Sequence, residues 1–345
     1  MSKPIIAIID AGNRELWDKF VTSHPEANFL QSWDFYEFHE NRGNKITRRI
    51  AVNENGDIIG AYAGVVEEAK RGRYLAIAGG PILDWTNKPL VDKIFDDIKT
   101  EGKRLKCVFV RLRPQLELSE KSLKLMKTHG FKKAPMYLSV EYAGILDISK
   151  SIDEIIAGAS QGFRRKLRKA EKNGIEIDLS QDPKIIEEYY PLELKHAKRQ
   201  GYVPFSKSFL EKQFKAFFDH GNEACMYIAK KDGEILAMNF IIFYGNEASY
   251  HYGVSSDLGT KYSAAPLMHV EAMKAARMLG CKRYNLWGIV GKDETNHRFY
   301  GVSEFKRSFG CEELKYTPAH DYVINPVKYQ LTKLVETARK KHRHV

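Results

Sequence analysis

YNLWGIVGKDETNHRFYGVSEFKRSFG, residues 284–310, is the stretch from which the fold is read. It opens as a short apolar strand, Tyr284 to Trp287, and breaks at Gly288. A polar segment follows, and the chain then re-enters a basic, aromatic helical piece from Gly301 to Phe309. A strand end followed by a polar loop is where open α/β folds place ligands. Phe305, Lys306 and Arg307 close the loop with an aromatic platform and two positive charges, a trio suited to a phosphate-rich or nucleotide-bearing partner. The same residues also fit a surface helix with one apolar face.

Working outward, the strand is preceded by a helix from Pro266 to Leu279, whose end at Gly280 fits a left-handed cap. Before that helix come a strand, Ser249 to Val254, and a hairpin, Met226 to Phe243, turning at Asp232-Gly233. The first half repeats the order. AVNENGDIIGAYAGVV (51–66) parallels IAKKDGEILAMNFIIF (228–243), with Asn55-Gly56 as the matching turn. EGKRLKCVFVRLRP (101–114) parallels LGCKRYNLWGI (279–289), and KTHGFKKAP (127–135) parallels KRSFGCEEL (306–314). The expectation is a duplicated α/β unit, mixed α+β in detail, with a substrate groove between its halves. The joint is expected near 147–152, giving domains 1–147 and 148–316. Residues 152–172 read as mainly helical, and the Phe and Leu residues of 209–218 fall at core-facing helical spacing.

Length agrees with two domains of about 150 residues each. The net charge of +11 and pI near 9.2 favour an anionic partner: nucleic acid, a phosphorylated precursor or a membrane surface. Cys107, Cys225, Cys281 and Cys311 are widely spaced with no CxxC pair, which speaks against a zinc site and fits reduced cytosolic thiols. No apolar run approaches the roughly 20 residues of a membrane span. PIIAII, residues 4–9, is too short for a secretory h-region, so a cytoplasmic protein is expected. There is no G-x-S-x-G elbow, no P-loop and no G-x-G-x-x-G, and the histidines form no metal-ligand pair before the His342 and His344 of the tail. Neither a metal nor a cofactor is expected.

The remaining layout, a meander, a strand and then a helix, is the order of acyl-CoA N-acyltransferases, where the helix start faces a pyrophosphate. The loop here is SSDLGTKYSAAPLMH, residues 255–269, and it offers Gly259 alone where paired glycines would open the backbone to coenzyme A. An acyl-CoA-dependent N-acyltransferase acting on an amine stays as the alternative function.

The pieces FLQSWDFYEF (29–38), GGPILD (79–84), FVRLRP (109–114), GFRRKLRKAEKNGIEI (162–177), KRQGY (198–202), YHYGVSS (250–256) and LWGI…GVSEFKRSFG (286–310) occur in this order along nearly the whole chain. With them the chain resembles the FemABX aminoacyltransferases, in their compact form without a coiled-coil arm. The resemblance implies two tandem GNAT-like domains, with residues 317–345 returning to the first. It implies transfer of an amino acid from aminoacyl-tRNA to the stem peptide of a peptidoglycan precursor, UDP- or lipid-linked, during interpeptide bridge formation. The partners are then aminoacyl-tRNA and that precursor, with peripheral contact at the inner face of the membrane. Such a reaction starts from an activated ester, so it needs positioning, a proton acceptor and charge stabilisation but no covalent protein intermediate.

Residue by residue, the resemblance implies that Phe305 stacks on the tRNA acceptor end and that Lys306 stabilises charge there. Arg199 matches the arginine that grips the precursor diphosphate, a task suited to a bidentate guanidinium. Tyr202 and Tyr252 match aromatic positions lining the groove, with core packing as their other reading. Asp84 ends GPILD and is read either as the acceptor of the amine proton or as the cap of the following turn. Where the compact relatives carry a phosphate-binding lysine, the spacing from Gln31 lands on His39. Arg164, Arg165, Arg168 and Lys172 fall within one helix and read as tRNA phosphate contacts or as a solvated face.

Overall fold

The computed structural model describes residues 6–69, 72–220 and 224–343. The chain divides into two compact units, residues 1–141 with 315–345, and residues 142–314.

In the first unit, β1 (Ile46–Val52) and β2 (Ile58–Ala69) form the expected hairpin. Gly56 at φ +82° completes its turn, with its amide donating to the Asn53 carbonyl at 3.0 Å. β2 continues antiparallel into β3 (Gly72–Ala78). The chain then crosses through α1 (Lys88–Arg104) to β4 (Phe109–Arg113), which lies parallel to β3. Asn87 caps α1, and Leu90, Val91, Ile94, Phe95 and Ile98 turn its apolar face onto the sheet. Such a parallel pair requires a crossover, and the helix supplies it while covering one sheet face.

The second unit repeats the path. Within it, α2 (Ile186–Gln200) precedes the second hairpin, which β5 (Ala224–Lys231) and β6 (Glu234–Tyr244) form. Asp232 and Gly233 both have positive φ at its turn, as a tight two-residue turn demands. β7 (Glu247–Ser255) pairs with β6, α3 (Ala264–Met278) crosses over, and β8 (Arg283–Gly288) lies parallel to β7. Gly280, at φ +84°, ends α3 in the left-handed conformation read from the sequence. α4 (Tyr300–Arg307) then leads through Gly310 at φ +80° to strand Glu312–Lys315. The counterpart in the first unit is helix Glu120–Thr128, Gly130 at φ +81° and strand Lys132–Lys133. The paired segments of the sequence thus occupy matching positions.

Strand Tyr142–Asp147 pairs with β8 in the second sheet, so it stands with the second unit and ahead of the expected joint at 147–152. Residues 152–172 form two helices, Ile152–Gly158 and Gln161–Lys172, because Ser160 caps the second and interrupts the run. Leu210, Phe214, Phe217 and Phe218 are buried, as their spacing requires.

The last segment forms β9 (His320–Val323), antiparallel to β4, and α5 (Pro326–Arg343). A buried ion cluster ties these elements to the first unit's sheet. The Arg111 guanidinium donates to Asp321 at 2.7 and 2.8 Å and to Glu336 at 3.0 and 2.8 Å. Tyr329 donates a further bond to Asp321 at 2.8 Å. No helix among the described residues is long and apolar enough to cross a membrane.

Candidate functional site

In the second unit, β7, β8, α2 and α4 carry, or stand next to, five of the expected residues: Phe305, Lys306, Arg199, Tyr202 and Tyr252. Asn285 on β8 donates to Glu247 at 3.0 Å and accepts from the Trp287 amide at 2.8 Å. That local bond accompanies a left-handed Trp287, φ +66°, an uncommon conformation for a bulky side chain. The pairing with strand Tyr142–Asp147 shifts register there, between Asn285 and Gly288, and resumes with Gly288 opposite Ala143; the Gly288 carbonyl also meets a side-chain donor. Lys306, from the last turn of α4, is that donor, with Nζ 2.8 Å from Gly288 O.

Lys306 is 6 % exposed and its Nζ lies 5.7 Å from the Tyr250 ring centre on β7. Burial disfavours the ammonium and lowers its pKa from 10.5 to about 7. The amine can therefore carry or release a proton near neutrality, as an acid–base group of a reaction site should. Phe305 is half-buried, with its ring 5.8 Å from His269 and 5.1 Å from Phe309. His269 is fully buried and bonded through Nδ1 to the Tyr284 hydroxyl at 2.8 Å. Burial, with Lys306 nearby, lowers its pKa to about 3, so it supports Phe305 and Lys306 as a neutral ring.

Along β7 and α2 the site continues to Arg199. Its guanidinium donates to Asp257 Oδ1 at 2.6 Å, to His196 Nδ1 at 2.9 Å and to the Ser255 carbonyl. Asp257 is largely exposed, so this ion pair is worth little. Tyr202 donates to Glu193 at 3.0 Å. Burial raises the Glu193 pKa, and burial together with Glu193 raises that of Tyr202. Tyr252 is half-buried between Phe240, Phe205 and His251, with ring distances of 6.3, 6.1 and 4.0 Å.

Tyr250, Glu193, His196 and His269 were not singled out from the sequence. Glu193, His196 and Arg199 recur every third residue on α2, and that polar stripe on a packed helix is the signal that marks them. His269 leaves no such trace, because its importance lies in what packs around it.

The first unit holds the other two expected residues. Asp84 is exposed and accepts from the Thr86 amide at 2.8 Å and hydroxyl at 2.7 Å. These bonds hold its carboxyl below the ordinary range and make it a poorer proton acceptor. His39 is buried among Phe35, Phe38 and Tyr36. Burial, with Arg42 beside it, lowers its pKa to about 4, so the ring has no charge to offer a phosphate at neutral pH. On helix Gln161–Lys172, Phe163, Leu167 and Ala170 face inward while Arg165, Arg168 and Lys172 face solvent. Arg164 bends back to the Ala157 and Ala159 carbonyls at 2.8 and 2.6 Å.

Gly259 has a packing role. A Cβ at this position would lie 2.2 Å from the Leu236 carbonyl oxygen of β6, and the Gly259 amide is taken by Ser256 Oγ at 3.0 Å. The glycine lets helix Asp257–Tyr262 approach the sheet, and its amide is not turned toward a pyrophosphate. Gly259→Ala is expected to lower stability by about 1–3 kcal/mol through this clash with backbone, read as a lower midpoint in urea.

Two sheets, each with a meander, a crossover helix and a parallel strand, define a tandem acyltransferase-type fold. Its solved relatives include FemX, with a TM-score of 0.87 at 20 % identity over 95 % of this chain and 100 % of that one. A tandem GNAT protein from the clavulanic acid biosynthesis pathway superposes at TM-score 0.54 and 10 % identity, covering 94 % of this chain and 99 % of that one. In sequence, the lipid II:glycine glycyltransferase of Staphylococcus aureus (strain USA300) is 23 % identical, spanning 92 % of this chain and 93 % of its own. The FemAB family model matches residues 13–134 and 207–337. The chain belongs to the FemAB family, and it is an aminoacyltransferase.

Proposed function

We propose that the chain transfers an amino acid from aminoacyl-tRNA to an amine on the stem peptide of a lipid-linked peptidoglycan precursor, at the inner face of the membrane. The observation that carries this reading is Lys306, a buried lysine whose amine titrates near neutrality beside the register shift of β8. The family match and the names of the relatives supply the substrate class.

In this reading the neutral acceptor amine attacks the ester carbonyl carbon. A C–N bond forms, the ester C–O bond breaks, the ammonium gives up a proton and the tRNA ribose oxygen takes one. Lys306 faces the developing oxyanion as the cation, and Phe305 backs the terminal adenosine. Arg199 releases Asp257 to bind the precursor diphosphate bidentately, and Tyr202 and Tyr252 line its approach. Arg165, Arg168 and Lys172 add a sequence-independent attraction for tRNA phosphates. Asp84 and His39 take no chemical step in this scheme: one is bound in its own turn, the other is buried and neutral.

The test incubates the protein with tRNAs charged with labelled amino acids and with lipid-linked or UDP-linked precursor. Label moving to the lipid-linked precursor from at least one charged tRNA is the expected result. Label left on tRNA for every combination would end the proposal, and acetyl-CoA in place of charged tRNA is expected to give no product.

A further inference from the structure

The C-terminal helix carries an apolar face that points away from the protein. On α5, Tyr329, Thr332 and Glu336 are buried. At a 100° step per residue they lie on one side of the helix. Val327, Leu331 and Leu334 lie on the opposite side and are 79, 65 and 68 % exposed, Ala338 continues the row, and Val335, 41 % exposed, stands at its edge. Four exposed aliphatic side chains gathered on and beside the outer face within nine residues are unusual for a solvated helix, whose outer face should be polar.

The charge of the helix points to an occupant. Its sequence, PVKYQLTKLVETARKKHR, has a single acidic residue, Glu336. That carboxylate is fully buried against Arg111, so no acid stands on the outer surface of α5. Lys328 and Lys333 are exposed, and the sequence of the helix itself runs on through Arg339, Lys340, Lys341, His342 and Arg343 with no acid among them. An apolar stripe with a basic surround, on a helix with no exposed acid, is the composition of a helix that lies in the plane of an anionic bilayer. A second copy of the chain fits less well. The stripe spans fewer than two heptads, where a stable coiled coil needs about three or four, and two such helices would bring like charges together.

We propose that α5 is a membrane-docking helix, which seats Val327, Leu331, Leu334 and Val335 at the headgroup–acyl boundary of a bilayer rich in anionic phospholipid. The Arg111 cluster makes the presentation rigid, since it fixes the rotation of α5 about its own axis. The inference rests on the placement at the inner face of the membrane given under the transfer reading, but it is measured without any substrate, so a failure of flotation and a failure of transfer are distinguishable.

The experiment is flotation of the full chain with phosphatidylcholine vesicles or with vesicles also containing phosphatidylglycerol. Flotation with the anionic vesicles alone is expected, weakening as salt is raised. The double variant Leu331→Glu with Leu334→Glu is expected to lose about tenfold or more of the bound fraction, because two buried aliphatic contacts are replaced by repelled carboxylates. Both positions are exposed, so its thermal midpoint is expected to match that of the parent. No flotation with anionic vesicles, equal flotation with neutral ones, or full binding by the double variant would each overturn the proposal. So would light scattering that shows a dimer broken by the same pair of substitutions.

Discussion

Lys306→Met is expected to abolish measurable transfer while leaving the protein at least as stable at pH 6. Loss of one preorganised charge opposite a developing oxyanion costs about 10²–10³-fold in rate. Methionine keeps the length and shape of the side chain, so the packing against Tyr250 and the turn of α4 persists. The stability claim follows from the sign of the shift. In the folded protein the Lys306 pKa is about 7, whereas the unperturbed value is 10.5. Below pH 7 both states hold the proton, and the folded state bears the whole net cost of a buried cation, on the order of 5 kcal/mol. Between pH 7 and 10.5 the unfolded chain still binds a proton that the folded one has released, so parental stability rises with pH across this window. The variant lacks this dependence. Its advantage should be largest below pH 7 and shrink toward pH 10. Thermal midpoints of both proteins across that range check it, and parallel curves would show that Lys306 is not titrating as a buried amine.

Arg111→Ala is expected to be the most destabilising single change in the first unit. It leaves Asp321 and Glu336 buried without the Arg111 charge that both of them meet. Breaking such a cluster by removing one partner costs about 3–5 kcal/mol, far more than the intact cluster is worth against an apolar replacement. The return segment, β9 with α5, should loosen first, because Asp321 and Glu336 are its deep attachments to β4. The midpoint should fall by roughly 6–20 °C. The defect should narrow at acidic pH, because carboxylates without their arginine protonate more easily. Amide exchange localised to 320–338 would confirm where the loss falls. A variant as stable as the parent at pH 8 would mean that the cluster is dispensable.

Much of the architecture was legible beforehand because it depends on local rules. Asn55-Gly56 and Asp232-Gly233 turn their hairpins, and Gly280 ends α3, since positive φ is cheap only at such positions. The matched segments 51–66 and 228–243 settle into matched hairpins because alternation and turn spacing fix strand register. Boundaries were less secure. Ser160 was hidden inside a helical run, and Tyr142–Asp147 was assigned to the earlier half, though its partner strand lies at 283–288.

The site divides along the same line. From the order of residues alone came the duplicated acyltransferase layout, the FemABX resemblance and the choice of Phe305, Lys306, Arg199, Tyr202 and Tyr252 as candidates. Tertiary structure decided what each of them can do. Lys306 loses its ordinary basicity through burial under Tyr250, and His39 loses its charge among three aromatic rings. Asp84 spends its lone pairs on Thr86, and Glu336 meets Arg111 across 225 positions of chain. Backbone turns and periodicity are properties of neighbours in sequence. Desolvation and charge pairing are properties of neighbours in space, and only the folded chain brings those together.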